Sequence, residues 1–560
     1  MTDIEIARAC QPLPIQEIGK QLGLSPDEVH PYGRYKGKVA LSALQRLSGK
    51  PQGRYILVTA INPTPLGEGK TTTSVGLTMG LCRLGQRAVV TLRQPSLGPV
   101  FGIKGGGTGG GYAQVVPMEE INLHLTGDAH AVSSAHNLLS AFIDNHLFHG
   151  NELGIDPARL SWPRSLGVSD RALRGITLGE GAGNRKSQFV ITEASEVMAI
   201  LALASGQADL RQRLGQIVIG LKNDGKPVLA EELGCAGSMA VLLKEALLPN
   251  LVQTLERTPA FVHTGPFGNI AHGNCSVLSD AMAVRCADYV VTEAGFGSDL
   301  GAEKFFNIKC RISGLKPAAA VVVATLRALK LHGGGGVVKV GAPLPTTLTG
   351  SNPEALARGF ANLEQHIENV KVHGIPVVVA VNAFKDDPAS ELEWVCEQSR
   401  KAGAVEAAVS THHADGGKGS EELARAVIRA SAGRSSFAHL YDVTWPIKQK
   451  IETIATRMYG AVGVSFEEQA ERQIESAQRL GYGELPICMA KTPLSLSHDP
   501  ALKGRPTGFT LPIKEVRLLA GAGFLTAVCS GIQLMPGLPK KPAGERIGID
   551  PRTGEIVGLS

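Results

Sequence analysis

Residues 54–73, RYILVTAINPTPLGEGKTTT, decide the predicted fold. The segment begins with a run of apolar residues, 56–61, that lacks the alternation of a half-exposed strand and is typical of a central strand covered by helices on both faces. A turn with two prolines and two glycines follows, and the segment then continues as Lys-Thr-Thr-Thr. The order of strand, glycine-bearing turn and helix predicts a loop that binds a phosphate group.

The turn at residues 64–71 differs from the pattern G-x-x-x-x-G-K-[ST] at its first position, where Thr64 replaces glycine. In this pattern Lys70 supplies a cation, and the Thr71 hydroxyl is the expected ligand of a phosphate-bound magnesium ion. The alternative is an ordinary strand-to-helix turn with a surface lysine. The predicted nucleotide-binding residues are Thr64, Pro65, Leu66, Gly67, Glu68, Gly69, Lys70 and Thr71.

The composition places limits on the class of protein. The chain has 560 residues with 56 basic and 51 acidic side chains, so its charge gives no indication of nucleic-acid binding. Its nine cysteines form no C-x-x-C pair and are expected to be reduced thiols. The start of the sequence lacks an apolar signal core, and the longest apolar run is too short to cross a bilayer. We therefore expect a cytoplasmic protein without membrane segments.

The pattern of elements predicts an α/β fold that contains a P-loop. Residues 71–84 and 87–92 read as a helix and a strand, which with the first strand form a βαβ unit. Strand-like runs at 189–192, 217–221, 260–263 and 289–292 alternate with helical segments, so we expect largely parallel or mixed sheets flanked by helices, with additional smaller α/β domains. Three domains are predicted, at residues 1–330, 331–445 and 446–560. The first would carry the nucleotide site, and the second would contribute a slot for a ring.

Arg93 follows the second strand of this unit, at the edge of the sheet where ligands bind in open α/β folds. We expect it at the end of a strand next to that of the phosphate loop. The glycine-rich run at 101–117, FGIKGGGTGGGYAQVVP, comes next and is bracketed by Phe101 and Tyr112. A loop that encloses a ligand is the favoured interpretation, and a flexible linker is the alternative.

Four further residues stand at the ends of predicted elements. Asp128 is a plausible helix N-cap, and this structural role competes with one in positioning substrate or magnesium. Glu293 ends a strand and could help to hold magnesium or act as a cap. Phe384 and His413 follow two later strands and could form the walls of a slot for a ring, although Phe384 could also be a core residue.

These stretches together resemble the monofunctional bacterial formate–tetrahydrofolate ligases, also called 10-formyltetrahydrofolate synthetases. The resemblance covers nearly the whole chain. It is carried by PTPLGEGKTTT at 63–73, LRQPSLGPVFGIKGGGTGGGYAQVVPMEEINLHLTGDAHA at 92–131, EAGFGSDLGAEKFFNIKCR at 293–311, NAFKDD at 382–387, ADGGKGSEELA at 414–424 and RIGIDPRTGEIVGL at 546–559.

The resemblance implies ligation of formate to tetrahydrofolate with ATP and Mg²⁺, through a formyl phosphate intermediate. It implies that Lys70 contacts the transferring phosphate, that Arg93 contacts formate, which suits its planar guanidinium fork, and that Asp128 is catalytic. It also implies a homotetramer and a pterin slot with Phe384 as its first aromatic wall. No nucleic-acid or membrane partner is expected.

Two positions depart from the family pattern. His413 stands where the second wall of the pterin slot is commonly tryptophan, and an imidazole offers less area for stacking. Gln94 replaces a glutamate that is associated with activation by potassium or ammonium, so the resemblance implies weak dependence on a monovalent cation.

Two other functions remain open on the sequence alone. One is a P-loop regulatory or assembly ATPase, which would use the phosphate loop but not Arg93, the glycine-rich run or the ring slot. The other is an ATP-dependent carboxylase-type synthetase that acts on another amine.

Overall fold

The computed structural model describes residues 1–65, 67–179, 184–268, 270–338, 343–529 and 532–559, without the side chain of Lys104. The described residues form an α/β fold in which helices flank mixed and parallel sheets. In chain order the strands are β1 (Val29–Pro31), β2 (Gly37–Val39), β3 (Arg54–Ala60), β4 (Ala88–Leu92), β5 (Gly109–Gly110), β6 (Ala113–Val116), β7 (Ile155–Leu160), β8 (Arg164–Leu166), β9 (Ile176–Thr177), β10 (Lys186–Ser187), β11 (Phe189–Ile191), β12 (Val218–Lys222), β13 (Pro227–Leu229), β14 (Asn250–Thr254), β15 (Pro259–Val262), β16 (Tyr289–Glu293), β17 (Ala319–Ala324), β18 (Val377–Asn382), β19 (Glu406–Ser410), β20 (Gly463–Phe466), β21 (Ile487–Ala490), β22 (Thr510–Ile513), β23 (Glu515–Leu519), β24 (Phe524–Val528), β25 (Gly548–Ile549) and β26 (Ile556–Val557).

The helices are α1 (Asp3–Ala9), α2 (Ile15–Gln21), α3 (Leu41–Arg46), α4 (Lys70–Arg83), α5 (Leu97–Pro99), α6 (Met118–Asn122), α7 (Asp128–Phe148), α8 (Glu196–Leu203), α9 (Gln207–Gly215), α10 (Ala236–Leu242), α11 (Val277–Cys286), α12 (Cys310–Ser313), α13 (Leu326–His332), α14 (Thr346–Thr349), α15 (Pro353–Lys371), α16 (Ala389–Lys401), α17 (His412–Asp415), α18 (Glu421–Ala430), α19 (Ile447–Tyr459) and α20 (Glu468–Arg479). Among the described helices, none has the length and apolar character to span a bilayer.

A sheet of 12 strands dominates the fold, with the order β1-β2-β14-β15-β4-β16-β3-β17-β18-β19 and with β6 pairing β14 and β5 beside this path. From β15 to β19 all neighbours are parallel, whereas β1, β2, β14 and β15 pair antiparallel. The apolar run of the sequence is β3, and its two parallel neighbours are β16 and β17. The predicted central strand is therefore confirmed.

The side chains of β3 enter two hydrophobic cores. Tyr55 and Leu57 belong to one core, together with Val322 of the neighbouring strand β17. Ile56 and Val58 belong to the other, together with Val321. Because successive residues of a strand point to opposite faces of the sheet, an unbroken apolar run places a core on each face.

The predicted position of Arg93 beside the phosphate-loop strand is wrong by one strand. β4 is not the neighbour of β3, because β16 lies between them and pairs in parallel with both. The helix α4 is long enough for either crossover, so the local pattern could not reveal that a strand nearly 200 residues further along the chain, Tyr289–Glu293, would enter the gap.

Two of the predicted strands lie outside the main sheet. β11 pairs with β8, and β12 lies between β13 and β7 in an antiparallel sheet. The segment from α19 onward forms three small sheets, and two of them, β20-β22 and β21-β24-β23, contribute to a separate hydrophobic core. The predicted boundary at residue 330 falls between β17 and β18, which pair in the main sheet. The division into three domains stays a prediction.

Candidate functional site

The carboxyl ends of neighbouring parallel strands bring most of the predicted site residues to one edge of the main sheet. Parallel strands end at the same edge, where open α/β sheets bind ligands. Taken in the order of the strands from β4 to β19, this edge presents Arg93 after β4, Glu293 at the end of β16, the phosphate loop after β3, Arg327 after β17, Asn382 and Phe384 at β18, and His413 after β19.

The predicted phosphate loop, at residues 64–69, is closed by an internal hydrogen bond before α4 begins. The Thr64 amide donates a hydrogen bond to Oε1 of the buried Glu68 at 2.7 Å. Burial raises the pKa of Glu68, while the charge of Lys70 lowers it. Thr64 is absent from the described residues with positive φ, so this position does not require the glycine of the usual pattern. Leu66, also predicted to bind nucleotide, lies outside the described residues.

Gly69 and Asn382 fix the start of the helix. Gly69 is the residue before α4 and has a left-handed φ of 76°, which disfavours any side chain there. Asn382, from the end of β18, donates through Nδ2 to the Glu68 carbonyl and to Thr73 Oγ1, both at 2.9 Å. Sequence reasoning missed this role of Asn382, although the residue belongs to the NAFKDD motif.

Lys70 and Arg93 form the electropositive part of the site. Lys70 is the first residue of α4, where the helix dipole adds positive potential. Desolvation of its ammonium group lowers the pKa of Lys70, the carboxylates of Glu68 and Glu293 raise it, and the charge of Arg93 lowers it further. An anion bound beside both side chains would offset the repulsion that Arg93 exerts on the ammonium group of Lys70.

Glu293 meets the phosphate loop through Thr71. The Thr71 hydroxyl donates a hydrogen bond of 2.7 Å to Oε2 of Glu293, which is buried at the end of β16. A hydroxyl and a carboxylate are both hard oxygen ligands that suit magnesium. Within the described residues no group of three or more His, Cys, Asp or Glu side chains could hold a metal. Water and phosphate oxygens would have to complete such a site, as is usual for magnesium.

Arg93 sits in a narrow cradle between two loops. Its NH1 group donates to the Pro266 carbonyl at 3.3 Å. A Cβ atom at Gly295 would lie 3.1 Å from both terminal nitrogens of the guanidinium, so a side chain there would require the guanidinium to shift by a few tenths of an ångström. Arg93 Nε is buried and has no hydrogen-bond partner among the described residues. This unsatisfied donor fits the recognition of a carboxylate.

A buried ion pair supports the phosphate loop from a distant segment. Lys491 Nζ lies 2.6 Å from Asp299 Oδ2, and both side chains are fully buried. Asn62, which follows β3, donates to the same oxygen at 3.2 Å. The charge of Asp299 also raises the pKa of Lys70 against the effect of desolvation. Sequence reasoning missed both partners, although Asp299 lies in a motif that it singled out.

Asp128 is not an N-cap, and its carboxylate is fully engaged. The helix α7 begins at Asp128 after Gly127, which occupies the cap position. Asp128 Oδ1 lies 2.8 Å from Nζ of the buried Lys38, and Oδ2 accepts from Asn250 Nδ2 at 2.7 Å. These contacts tie Asp128 to β2 and to the start of β14, which pairs with the end of β15. The N-cap interpretation is wrong because the left-handed φ of 89° at position 127 is taken by glycine.

Phe384 and His413 are both exposed at the ends of neighbouring strands. Phe384 is 41% exposed, so its interpretation as a core residue is wrong. In the part of the chain that the structure describes, the Phe384 and His413 rings do not contact each other. The structure thus places the two predicted walls side by side along the edge without closing a slot between them.

The glycine-rich segment packs against His413. The Tyr112 amide donates to the His413 carbonyl at 2.8 Å. Gly111 has a φ of 55°, and a Cβ atom there would lie 2.1 Å from the same carbonyl oxygen. The Gly111 amide donates in turn to Asp3 Oδ1 at 2.8 Å. Glycine at this position therefore allows the segment to lie between α1 and the edge of the sheet.

A cavity of about 670 Å³ lies elsewhere, between the segment around β12 and the C-terminal elements α20 and β23. Its lining includes Trp162, Arg185 and Arg517 but none of the predicted site residues. Arg185 and Arg517 are already paired with Asp144 and Glu515. This cavity gives no reason to place the chemistry away from the sheet edge.

Comparison with known proteins yields one consistent result. The family model described as formate–tetrahydrofolate ligase matches residues 1–560. Formate–tetrahydrofolate ligase 3 of Rubrobacter xylanophilus is 56% identical over 573 aligned positions that cover 100% of both chains. The formate–tetrahydrofolate ligase of a Roseiflexus species is 56% identical, and that of Paracoccus denitrificans is 54% identical, each again over 100% of both chains.

Proposed function

The chain belongs to the formate–tetrahydrofolate ligase family, and we propose that its sheet edge performs the ATP-dependent ligation of formate to tetrahydrofolate. The observation that carries the proposal is the convergence of Lys70 and Arg93 on the two sides of Glu293, at the ends of β3, β16 and β4. A site for two anions side by side is what the joining of a phosphoryl group to a carboxylate requires.

In the first step a formate oxygen attacks the γ-phosphorus of ATP, the bond from that phosphorus to the bridging oxygen breaks, and ADP leaves. Arg93 binds formate through its guanidinium fork, and its free Nε group is available as a further donor. Lys70 binds the transferring phosphate from the start of α4. The product of this step is formyl phosphate.

In the second step N10 of tetrahydrofolate attacks the formyl carbon, the carbon–oxygen bond to phosphate breaks, and N10 loses its proton. Phosphate is a far better leaving group than the oxygen of free formate, which is why ATP is consumed. Arg93 and Lys70 neutralise the charge that develops on the oxygens of the departing phosphate.

Thr71 and Glu293 are the residues that would hold magnesium, since their oxygens lie 2.7 Å apart beside the phosphate loop. The bound ion would spread the negative charge of the β- and γ-phosphates. Gly69, next to the start of α4, would contribute its backbone amide, and Glu68 would keep the loop closed.

Phe384 and His413 serve as the pterin walls in this proposal. Phe384 offers an exposed aromatic face, and His413 contacts the glycine-rich segment, so binding of the folate ring is coupled to that segment. The smaller ring of His413 gives less stacking area than tryptophan would. Asp128 contributes through Lys38 and Asn250, as a residue that positions β2 and β14.

Several finer properties belong to the same proposal. They are assembly as a homotetramer, a cytoplasmic location, dependence on Mg²⁺ and only weak dependence on a monovalent cation, because the neutral Gln94 supplies no charge to such an ion. Gln94 is buried, and its backbone N–H donates to the Thr264 carbonyl at 2.7 Å. A strong rise in turnover when a large organic cation is replaced by potassium would contradict the last property.

The test is an assay of the purified chain with ATP and Mg²⁺ in which formate and tetrahydrofolate are supplied singly and together. We expect 10-formyltetrahydrofolate and ADP in equal amounts only when both substrates are present. ADP release that neither substrate changes would favour the regulatory ATPase, and inhibition by bicarbonate with incorporation of its carbon would favour the carboxylase-type synthetase. Membership of the family favours neither alternative.

A further inference from the structure

Arg327 covers one face of the Phe384 ring. Its guanidinium carbon lies 3.8 Å from the ring centroid. Arg327 belongs to the first turn of α13 after β17, and Phe384 follows the next strand, β18. The quadrupole of an aromatic ring attracts a cation in this position. Since Phe384 is 41% exposed, the guanidinium covers only part of the ring.

The position of Arg327 depends on this contact more than on ordinary polar partners. Its Nε atom is buried and has no hydrogen-bond partner within the described residues. The charge of Arg327 lowers the pKa of Asp387 against the larger raising effect of burial, which places that carboxyl group nearby. Asp387 Oδ2 accepts the Phe384 amide at 2.9 Å. One carboxylate therefore fixes the backbone of Phe384 and attracts the cation on its ring.

A buried ion pair holds the two loops at a fixed spacing. Lys330, one turn after Arg327 on α13, lies 2.6 Å from Oε2 of Glu391 on α16, and both side chains are buried. Glu391 also accepts the Asn352 amide at 2.7 Å, and Lys330 donates to the Gly350 carbonyl at 2.6 Å. Arg327 lies on α13 and Phe384 lies in the connection between β18 and α16, so this ion pair ties together the two segments that carry the stacked pair.

We propose that Arg327 is a positioning residue for folate, which acts through Phe384 and does not touch the substrate. This inference rests on the proposed function. The guanidinium fixes the Phe384 ring before the pterin arrives, which reduces the entropy lost on binding. It also draws electron density toward its own face, so the opposite face stacks more favourably on an electron-rich tetrahydropterin ring.

The test compares Arg327→Met, which keeps an unbranched apolar stem without the charged guanidinium, with Arg327→Lys and with the control Lys401→Met. The Lys401 side chain is 61% exposed on α16 and pairs with the equally exposed Glu397, and its replacement changes the net charge by the same amount. By equilibrium binding we expect Arg327→Met to raise the Kd for tetrahydrofolate about three- to tenfold, with a smaller rise for Arg327→Lys. The KM for ATP and for formate should stay within about twofold of the unchanged protein.

A double-mutant cycle with Phe384→Leu separates this role from a general loss of structure. If Arg327 acts through the ring, Arg327→Met should raise the Kd for tetrahydrofolate less than about twofold in the Phe384→Leu background. An equal loss in both backgrounds would show direct contact with folate, and a raised KM for ATP alone would assign Arg327 to the nucleotide. Either result overturns the inference, whereas the proposed function fails only if the unchanged protein makes no 10-formyltetrahydrofolate.

Discussion

Thr71 donates a hydrogen bond of 2.7 Å to Glu293 across 222 residues of sequence. The contact follows from strand pairing, because β16 lies beside β3 with Glu293 opposite Val58. The position of the Glu293 carboxylate is therefore determined by the register of the central sheet and not by the loop that it contacts. A shift of that register by one residue would turn the carboxylate to the other face of the sheet.

We expect Glu293→Gln to reduce formate-dependent ADP formation by about a hundredfold or more, because the amide retains size and polarity but loses the charge that magnesium needs. Kinetics over a range of Mg²⁺ concentrations would measure the effect. Glu397→Gln, an exposed residue of α16, is the matched control. Full activity with an unchanged dependence on Mg²⁺ would exclude Glu293 as a magnesium ligand.

We expect Arg93→Ser to raise the KM for formate by about a hundredfold and to leave ATP binding nearly unchanged, since serine provides no fork for a carboxylate. Arg93→Lys should recover only part of this loss, because an ammonium group binds one oxygen at a time. Steady-state kinetics with formate as the varied substrate test both variants. The assigned role would be wrong if formate kinetics were intact in Arg93→Ser.

We expect Gly111→Ala to weaken tetrahydrofolate binding by about tenfold or more, since the new Cβ atom would lie 2.1 Å from the His413 carbonyl and the residue has a φ of 55°. Gly433→Ala is the control, because a Cβ atom there would meet nothing within 4 Å. Isothermal titration with tetrahydrofolate measures the change. Unaltered affinity would show that the glycine-rich segment is independent of the pterin site.

We expect His413→Trp to tighten tetrahydrofolate binding by about three- to tenfold, because indole offers a larger stacking surface than imidazole. The His413 ring lies beside Gly110, where its atoms Cδ2 and Nε2 would be 3.6 Å from an added Cβ atom. His149→Trp, at an exposed helix end, controls for added aromatic surface. Equal or weaker affinity would contradict a stacking role for residue 413.

We expect Glu193→Gln to flatten the pH dependence of stability. Burial raises the pKa of Glu193 to about 8, and its Oε2 has no partner among the described residues. Since its pKa in the unfolded chain is near the ordinary value of 4.5, the folded protein binds the extra proton between these pH values and loses stability as pH rises through them.

The amide cannot ionise, so the Tm of Glu193→Gln should exceed that of the unchanged protein by roughly a few degrees at pH 9 and differ little at pH 5. Calorimetry at several pH values measures this difference. A residual slope is expected from Glu196 and Glu303, whose pKa values burial raises to about 7. Parallel Tm curves for the two proteins would contradict the prediction.

The strand, loop and helix at residues 54–83 could be predicted from the sequence because consecutive residues determine them. An apolar run, Gly69 and the Lys70-Thr71 pair specify strand, loop and helix through their own backbone preferences. Both elements are confirmed: β3 begins two residues before the apolar run, and α4 is offset by one residue from the predicted helix. The exposure of Phe384 was one of two open interpretations, since an aromatic residue after a strand fits a core or a surface equally well.

The remainder of the site depends on contacts that no local pattern encodes. Asn382 reaches the phosphate loop over more than 300 residues, and Asp299 meets Lys491 across 192. No sequence motif indicates the role of Arg327. Its contact with Phe384 arises only because β17 and β18 are neighbours and end at the same edge of the sheet. Asp128 failed as an N-cap for a similar reason, since the adjacent glycine competes for the cap position.

The division of β3 between two cores has a consequence for how heat inactivates the protein. Both cores pack against β3, which leads into the loop before Lys70. If one core unfolds, β3 loses the packing on one of its faces, and the other core and the position of Lys70 are lost with it. We therefore expect nucleotide binding and the packing of both cores to disappear in a single transition. Loss of nucleotide binding on heating would then report the unfolding of β3 and of both cores together.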